Sequence, residues 1–251
     1  MAVMKRALDI IINLYLWIMF TIFGAILFLG ACFIWLLTFS VDPNRRVLQQ
    51  YTCLWSTIYL WCNPYWSVTV RGLEHVDRRK AYVIIANHQS MADIIVVFRS
   101  FLHFKWVSKQ SMFNVPFLGW NMWLNGYIPI ARGDAESRET CLRHCREWLA
   151  KGSSVFFFPE GTRSSDGVMR PFKLGAFQLA LDTKTDILPM AISGSHVAIP
   201  KKSIVLNRKA AMSLCILPPI AVIPDPTRPL DEQAQDLADE ARRRLQAALS
   251  S

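Results

Sequence analysis

An uninterrupted apolar stretch near the N-terminus constrains the fold of this chain more than any other sequence feature. Residues 10–41 include no Asp, Glu, Lys or Arg. A helix that crosses a bilayer needs about 20 predominantly apolar residues, so the stretch is long enough to cross one. It is also longer than the apolar core of about 7–15 residues in a cleaved signal peptide. We therefore expect it to remain in the protein and to anchor it to a membrane.

A second uncharged stretch, residues 47–70, follows the Arg45–Arg46 pair. It is broken by Asn63–Pro64 and contains three tryptophans, which are Trp55, Trp61 and Trp66. Tryptophan is enriched where lipid meets water, so the stretch is typical of a segment at the membrane surface.

Positive charges flank both stretches and indicate how the chain meets the membrane. They lie at Lys5–Arg6, at Arg45–Arg46 and from Arg71 onward. One or two full crossings would separate these groups, whereas cations near apolar helices tend to stay on the cytoplasmic side. A helical hairpin that dips into one leaflet keeps all of them there, near anionic lipid. We expect residues 1–70 to form this hairpin, with the rest of the protein on the cytoplasmic face of a bacterial inner membrane.

The net charge of +9 fits an anionic membrane surface, a phosphorylated ligand or nucleic acid. The cations are scattered and do not form a stripe, which argues against nucleic acid as a partner. The six cysteines form no C-x-x-C pair or disulfide framework. Cys141, His144 and Cys145 share one helical face, but they lack the second ligand cluster of a typical metal site, so we expect core packing there and no metal.

From Arg71 onward, short β-like runs alternate with helical ones. The candidate strands are Tyr82–Ala86, Lys105–Val107, Tyr127–Ile130, Val155–Phe158, Ile187–Ile192, Ser203–Leu206 and Met212–Leu217. The clearest helices are Ala135–Lys151, which stops at Gly152, and Leu230–Leu249, which has acids early and arginines late. This alternation predicts an α/β domain over residues 71–225, with a mixed sheet flanked by helices. Residues 226–251 are expected to form an amphipathic helix that packs on that domain.

The segment VIIANHQSMADI, Val83–Ile94, places His88 and Asp93 five residues apart directly after an apolar run. Ligand sites in α/β folds collect where strands end. Asp93 would be near enough to accept a hydrogen bond from the imidazole, fix its tautomer and leave Nε2 free as a base. No G-x-S-x-G nucleophile elbow is present, so the substrate would bring its own hydroxyl. The same residues also fit a helix capped by Asn87, with His88 exposed and Asp93 in the first turn.

A second polar segment follows another apolar run. In SSVFFFPEGTRSSDG, Ser153–Gly167, the run breaks into Pro159–Ser164. Glycine there lets the backbone approach a ligand closely. Hydroxyls from Thr162 and Ser164, with the guanidinium of Arg163, suit a phosphate group. Beside a His/Asp pair this turn predicts a phosphate pocket, whereas alone it would be a basic surface loop.

These two segments resemble the motifs of a known family. NHQSMAD (Asn87–Asp93) matches the N-H-x-x-x-x-D motif, and FPEGTRS (Phe158–Ser164) the E-G-T-R motif, of the 1-acyl-sn-glycerol-3-phosphate acyltransferases. Supporting blocks follow in the family's order: VSKQSMFNVPFLG (Val107–Gly119), GYIPIAR (Gly126–Arg132), PFKLGAF (Pro171–Phe177) and ILPMAI (Ile187–Ile192). The chain departs from the pattern at Ala131, where many relatives carry aspartate. The resemblance covers residues 70–220, and the N-terminal hairpin is similar to the family's membrane anchor.

The resemblance implies transfer of a fatty acyl group from acyl-CoA or acyl-carrier protein to the free hydroxyl of lysophosphatidic acid, without a metal or cofactor. His88 would be the general base and Asp93 would orient it. Gly161, Thr162, Arg163 and Ser164 would bind the substrate, and Glu160 would either bind a substrate hydroxyl or brace the loop. Arg132 and Lys109 are further candidates for the phosphate.

Three alternatives remain open from the sequence. The acceptor can be glycerol 3-phosphate, a lysophospholipid or a lyso-aminolipid, because the motifs are shared across these enzymes. A transacylase would take its acyl chain from a phospholipid. The chain can also be a membrane-anchored lipid-binding protein without catalysis.

Overall fold

The computed structural model describes residues 2–164, 168–200 and 205–250, with side chains from residue 10 onward. The helices are α1 (Ala2–Thr38), α2 (Arg46–Trp61), α3 (Asp93–Phe98), α4 (Leu118–Leu124), α5 (Ala135–Ala150), α6 (Gly175–Thr183), α7 (Ser195–Ala198) and α8 (Leu230–Ser250). The strands are β1 (Trp66–Arg71), β2 (Val83–Ala86), β3 (Phe104–Lys109), β4 (Ile128–Ile130), β5 (Ser154–Phe157), β6 (Ile187–Ser193) and β7 (Ala210–Ile216).

The strands form one sheet in the order β1-β7-β6-β2-β5-β3-β4. The five strands from β6 to β4 are parallel to one another. Strand β7 is antiparallel to β6, and β1 is parallel to β7. The predicted mixed α/β sheet is therefore confirmed. Because five neighbouring strands run the same way, the residues that follow β2, β3, β4, β5 and β6 meet at one edge, called here the carboxyl edge.

Side chains alternate between the two faces of the sheet, as the period of two in a strand requires. Ile84 and Phe156 point into a core shared with α2 and α3. Val83, Ile85 and Val155 point into a second core, beneath α5, α6 and α8. The molecule is therefore a sheet between two helical layers. Helices α5 and α8 lie where the sequence predicts them, and α8 packs against α6 and β6.

The N-terminal helices form a hairpin joined by residues 39–45 and packed side by side. The hydroxyl of Tyr51 donates to the carbonyl of Leu27 at 3.0 Å, and that of Tyr59 donates to the carbonyl of Phe20 at 3.1 Å. Two tyrosine hydroxyls of α2 thus bind backbone carbonyls of α1 and hold the two helices together. Among the described residues, one helical segment, Ile10–Thr38, is long and apolar enough to cross a membrane by length and composition. This helix indicates membrane association.

The outer face of α1 is apolar and uncovered. Its exposed side chains include Ile11, Leu14, Leu29, Phe33, Leu36 and Leu37. Leu118, Trp120 and Trp123 of α4, which packs against α1, are exposed as well. The inner face of α1 instead packs on the protein, where Leu16 and Ala31 are buried. Thus α1 lies along the domain with one apolar face exposed.

The structure differs from the sequence prediction in the second uncharged stretch. Its last residues, assigned to the anchor, form β1, which pairs with β7 along its whole length. Trp55 and Trp66 are 4% and 5% exposed and pack inside the protein, whereas Trp61 is 69% exposed. The interfacial interpretation is therefore wrong for two of the three tryptophans. A strand whose partner lies far away in the sequence leaves no local signal that separates it from a membrane-surface segment.

Two smaller expectations also differ. The helical run after His88 shrinks to the six residues of α3, because residues 87–92 form the loop that carries the site. Of the predicted strand Ser203–Leu206, Ser203 and Ile204 lie outside the described residues, and Val205 and Leu206 are not in a strand.

Candidate active site

His88 and Asp93 lie in the loop between β2 and α3, at the carboxyl edge. The His88 Nδ1 and Asp93 Oδ2 atoms are 2.6 Å apart. Because an ionised carboxylate only accepts hydrogen bonds, Nδ1 carries the proton and Nε2 has its lone pair free. The His88 side chain is 12% exposed and that of Asp93 is fully buried. The predicted hydrogen bond is therefore present, and it sets the histidine up as a proton acceptor.

The carboxylate of Asp93 is itself fixed by the loop. Its Oδ2 accepts hydrogen bonds from the backbone N–H groups of Gln89 (2.8 Å) and Ser90 (3.0 Å), besides the imidazole. Its Oδ1 is buried without a hydrogen-bond partner among the described residues. Three donors converging on one oxygen hold the aspartate in a single orientation, and this orientation dictates that of the ring.

Aromatic packing fixes the plane of the imidazole. The ring of His88 stacks on that of Phe158, with centroids 3.9 Å apart and planes 13° from parallel. Phe158 in turn lies against Trp106, with centroids 5.5 Å apart. Phe158 has no assigned role in the sequence motifs. Its position directly before the Pro159–Ser164 turn is the signal that could have linked it to the site.

Glu160 joins the two motifs through their backbones. Its Oε1 accepts from the N–H of His88 at 2.8 Å, and its Oε2 accepts from the N–H of Arg170 at 3.0 Å. The N–H of Ser164 donates to the carbonyl of His88 at 2.9 Å. Burial raises the pKa of Glu160, and these backbone hydrogen bonds oppose that rise. Glu160 therefore holds the two motifs together through their backbones, and its binding to the substrate stays a prediction.

The turn after β5 presents the other predicted binding residues. Gly161 has φ +66°, a conformation that favours glycine, and its N–H donates to the carbonyl of Phe158. Thr162 and Arg163 are half-buried, and Ser164 is buried. Arg163 forms no ion pair with any side chain in the described part of the chain. Its role in binding the substrate stays a prediction.

Lys109 and Arg132 reach the same edge from neighbouring strands. Lys109 ends β3 and pairs in register with Ile130 at the end of β4, two residues before Arg132. Both cations are exposed. The structure thus places both at the carboxyl edge, where His88 also lies, and their role in binding stays a prediction.

Two further residues complete the loop. The side-chain amide of Asn87 donates to the carbonyl of Ile192 at 2.9 Å and accepts from its N–H at 2.8 Å. These bonds tie the end of β2 to β6, so Asn87 is not a helix cap. The side-chain oxygen of Gln89 lies 3.2 Å from His196 Nδ1, which brings the exposed His196 beside the loop that carries His88.

A cavity of about 200 Å³ lies at the opposite edge, where β2, β3 and β5 begin. Its lining includes Arg46, Arg78, Lys80 and His103. Because His88 and Asp93 lie at the other ends of the strands, this cavity is separate from their site.

Comparisons with known proteins agree with this geometry. A family model described as Acyltransferase matches residues 67–193. The chain is 38% identical over 164 residues to the chloroplastic 1-acyl-sn-glycerol-3-phosphate acyltransferase LPAT1 of Arabidopsis thaliana, covering 64% of this chain and 46% of that protein. It is 34% identical over 211 residues to the chloroplastic BAT2 enzyme of Brassica napus, covering 83% of this chain and 58% of that protein. The chain thus spans about half the length of these relatives.

A solved structure shows the same fold. The crystal structure of the 1-acyl-sn-glycerophosphate acyltransferase PlsC from Thermotoga maritima superposes with a TM-score of 0.73 at 22% sequence identity. The match covers 97% of this chain and 98% of that one. Together with the family model, which spans both the His88–Asp93 loop and the Pro159–Ser164 turn, these observations establish that the chain belongs to the acyltransferase family.

Proposed function

We propose that this protein transfers a fatty acyl group from an acyl thioester to the free hydroxyl of 1-acylglycerol 3-phosphate and so makes phosphatidic acid. The observation that carries the proposal is the His88–Asp93 pair, in which Nε2 is a free base. The relatives named above are 1-acyl-sn-glycerol-3-phosphate acyltransferases, which supports lysophosphatidic acid as the acceptor.

The geometry leads to a direct transfer in one active site. Nε2 of His88 takes the proton of the acceptor hydroxyl as its oxygen attacks the thioester carbonyl carbon. The tetrahedral intermediate then collapses, the carbon–sulfur bond breaks, and the leaving sulfur takes the proton from the imidazolium. The negative charge of Asp93 stabilises the imidazolium between these two proton transfers. General acid–base assistance of this kind contributes roughly 10²–10⁴ in rate.

This sequence of steps needs no resident metal or cofactor, because the thioester is already activated and the hydroxyl comes from the substrate. Acyl-CoA and acyl-carrier protein both supply such a thioester, and either fits the proposal. The turn residues Thr162, Arg163 and Ser164 would hold the phosphate, with Lys109 and Arg132 reaching it from the neighbouring strands.

We also propose that the exposed apolar face of α1, extended by α4, lies in one leaflet of the membrane, here the cytoplasmic face of a bacterial inner membrane. A helix packed along the domain by one face and apolar on the other suits this monotopic arrangement. Washing membranes with alkaline carbonate tests it. The protein should stay in the membrane fraction, and release into the wash would contradict the proposal.

Three other functions share part of this structure. A relative that acylates glycerol 3-phosphate, another lysolipid or a lyso-aminolipid would use the same base, and so would a transacylase. A binding protein without catalysis would need the fold but not the free base, and the intact His88–Asp93 pair disfavours it.

The decisive experiment is acyl transfer from a labelled acyl thioester to lysophosphatidic acid in vesicles, comparing wild type with His88→Ala. His144→Ala is the matched control, because it removes an imidazole from α5, in the helical layer with α6 and α8, and leaves the loop between β2 and α3 unchanged. Wild type and the control should make phosphatidic acid, and His88→Ala should lose about 10²–10⁴ in rate. Transfer to a different acceptor would keep the chemistry and change the substrate. Inactivity on all acceptors would favour the binding protein.

A further inference from the structure

Lys173 lies directly against the turn that carries Gly161 and Arg163. Its backbone N–H donates to the carbonyl of Pro159 at 2.9 Å, which fixes its position beside the turn. A Cβ atom placed on Gly161 would lie 2.9 Å from Lys173 Cε and 3.1 Å from its Nζ. The end of the lysine side chain therefore occupies the space that a side chain at position 161 would need.

The glycine and the lysine thus form a pair. The N–H of Gly161 is already used within the turn, since it donates to the carbonyl of Phe158 at 3.0 Å. The N–H of Gly161 is therefore not free to bind a ligand. Because glycine has no side chain, the ammonium group of Lys173 has room to lie on the surface of the turn.

Lys173 takes part in none of the ion pairs formed in the described part of the chain. The nearest acid along the turn, Glu160, has one oxygen on the N–H of His88 and the other on the N–H of Arg170. Arg163 on the same turn is equally without an ion pair among the described side chains. Two cations that flank one small turn beside the catalytic loop make a site for an anion.

We propose that Lys173 binds the phosphate of the acceptor and makes the enzyme prefer phosphorylated acceptors, with Gly161 seating the lysine. The inference rests on the proposed function, which supplies the acceptor hydroxyl at His88. Arg163 and Lys173 hold the phosphate from two sides of the turn. The lysine acts on binding and does not take part in proton transfer.

The test uses Lys173→Met, which removes the charge and keeps the length of the side chain. Lys184→Met is the control, because that exposed lysine follows α6 and precedes β6, away from the carboxyl edge. The KM for lysophosphatidic acid should rise about 10-fold or more in Lys173→Met, in line with loss of a charge-assisted hydrogen bond. Its kcat should change less than twofold, and activity on monoacylglycerol, which lacks the phosphate, should be unchanged. Lys173→Arg should keep part of the preference.

Gly161→Ala tests the seating of the lysine independently. The added Cβ should displace Lys173 and raise KM for the phosphorylated acceptor, and the effect should not add to that of Lys173→Met in the double variant. Because φ is positive at this position, the folded state of each variant is checked by circular dichroism. Additive effects in the double variant would overturn the seating role.

Direct binding separates this proposal from the proposed function. Detergent-solubilised full-length protein is titrated with labelled lysophosphatidic acid and with labelled monoacylglycerol. Tighter binding of the phosphorylated lipid by wild type, with the difference lost in Lys173→Met, supports the proposal even if no acyl transfer is detected. Equal binding by wild type and Lys173→Met overturns it, even if wild type is fully active. A wild type that binds both lipids equally overturns it as well.

Discussion

Replacement of Asp93 by asparagine removes the negative charge of the carboxylate while leaving its hydrogen bonds in place. Oδ2 accepts three hydrogen bonds, from the imidazole and from the N–H groups of Gln89 and Ser90, and Oδ1 has no partner among the described residues. An asparagine with its oxygen toward the three donors keeps all three bonds. Its NH₂ group then takes the place of Oδ1, buried and without an acceptor. The variant therefore keeps the tautomer of His88 and loses the negative charge.

The magnitude follows from this geometry. A protonated His88 next to Asp93 places two opposite unit charges about 4 Å apart, which at an effective dielectric constant of about 20 attract by about 4 kcal/mol. Loss of that attraction in the transition state corresponds to about a 10³-fold fall in kcat. The buried NH₂ group should cost about 1–3 kcal/mol of stability. The KM for the acceptor should change little, since the phosphate-binding residues are untouched.

Steady-state acyl transfer to lysophosphatidic acid, followed by release of the free thiol, measures both constants. Thermal unfolding of the detergent-solubilised variant measures the loss of stability. Asp77→Asn is the control, because that carboxylate lies in a loop at the opposite edge of the sheet. A kcat for Asp93→Asn within threefold of wild type, in a folded protein, would refute the charge-compensation argument.

Changes at three other residues test the supporting structure. Glu160→Ala should lose more stability than Glu160→Gln, by about 0.5–1.5 kcal/mol, because alanine removes the acceptor for the N–H groups of both His88 and Arg170, whereas glutamine keeps an acceptor for one of them; equal melting temperatures would contradict the bracing role. Burial, and then repulsion from Arg45, lower the pKa of Lys105 to about 7, far below the usual lysine value. The native state therefore binds fewer protons than the unfolded state between about pH 7 and pH 10. The free energy of unfolding of wild type, relative to that of Lys105→Met, should therefore fall, on the order of a few kcal/mol, as the pH drops from 10 to 7. A difference in the free energy of unfolding that does not change with pH would contradict this. Gly30→Val should weaken the α1–α2 hairpin, since its Cβ would meet the hydroxyl of Tyr51; increased protease cleavage of α1 would show it, and unchanged cleavage would count against the packing.

The pairing of His88 with Asp93 was predictable because both lie in one short loop, where five residues of chain fix their separation. The resemblance of the two motifs to the acyltransferases predicted the correct family, which the family model and the relative from Brassica napus establish. The contacts of Glu160 were not predictable. It lies 72 residues from His88 along the chain, and the sequence left open whether it braced the loop or met the substrate.

The alternation and length of apolar runs determined, by themselves, a long apolar N-terminal helix, an α/β sheet between helical layers and an amphipathic C-terminal helix. These features depend on the period of local side-chain burial, which is written along the chain. Only the tertiary structure decided that residues 66–71 join the sheet, that Trp55 is buried, and that Lys173 fills the space left by Gly161. Each of these depends on a contact between segments distant in sequence, and local hydropathy carries no information about which segment will be the partner.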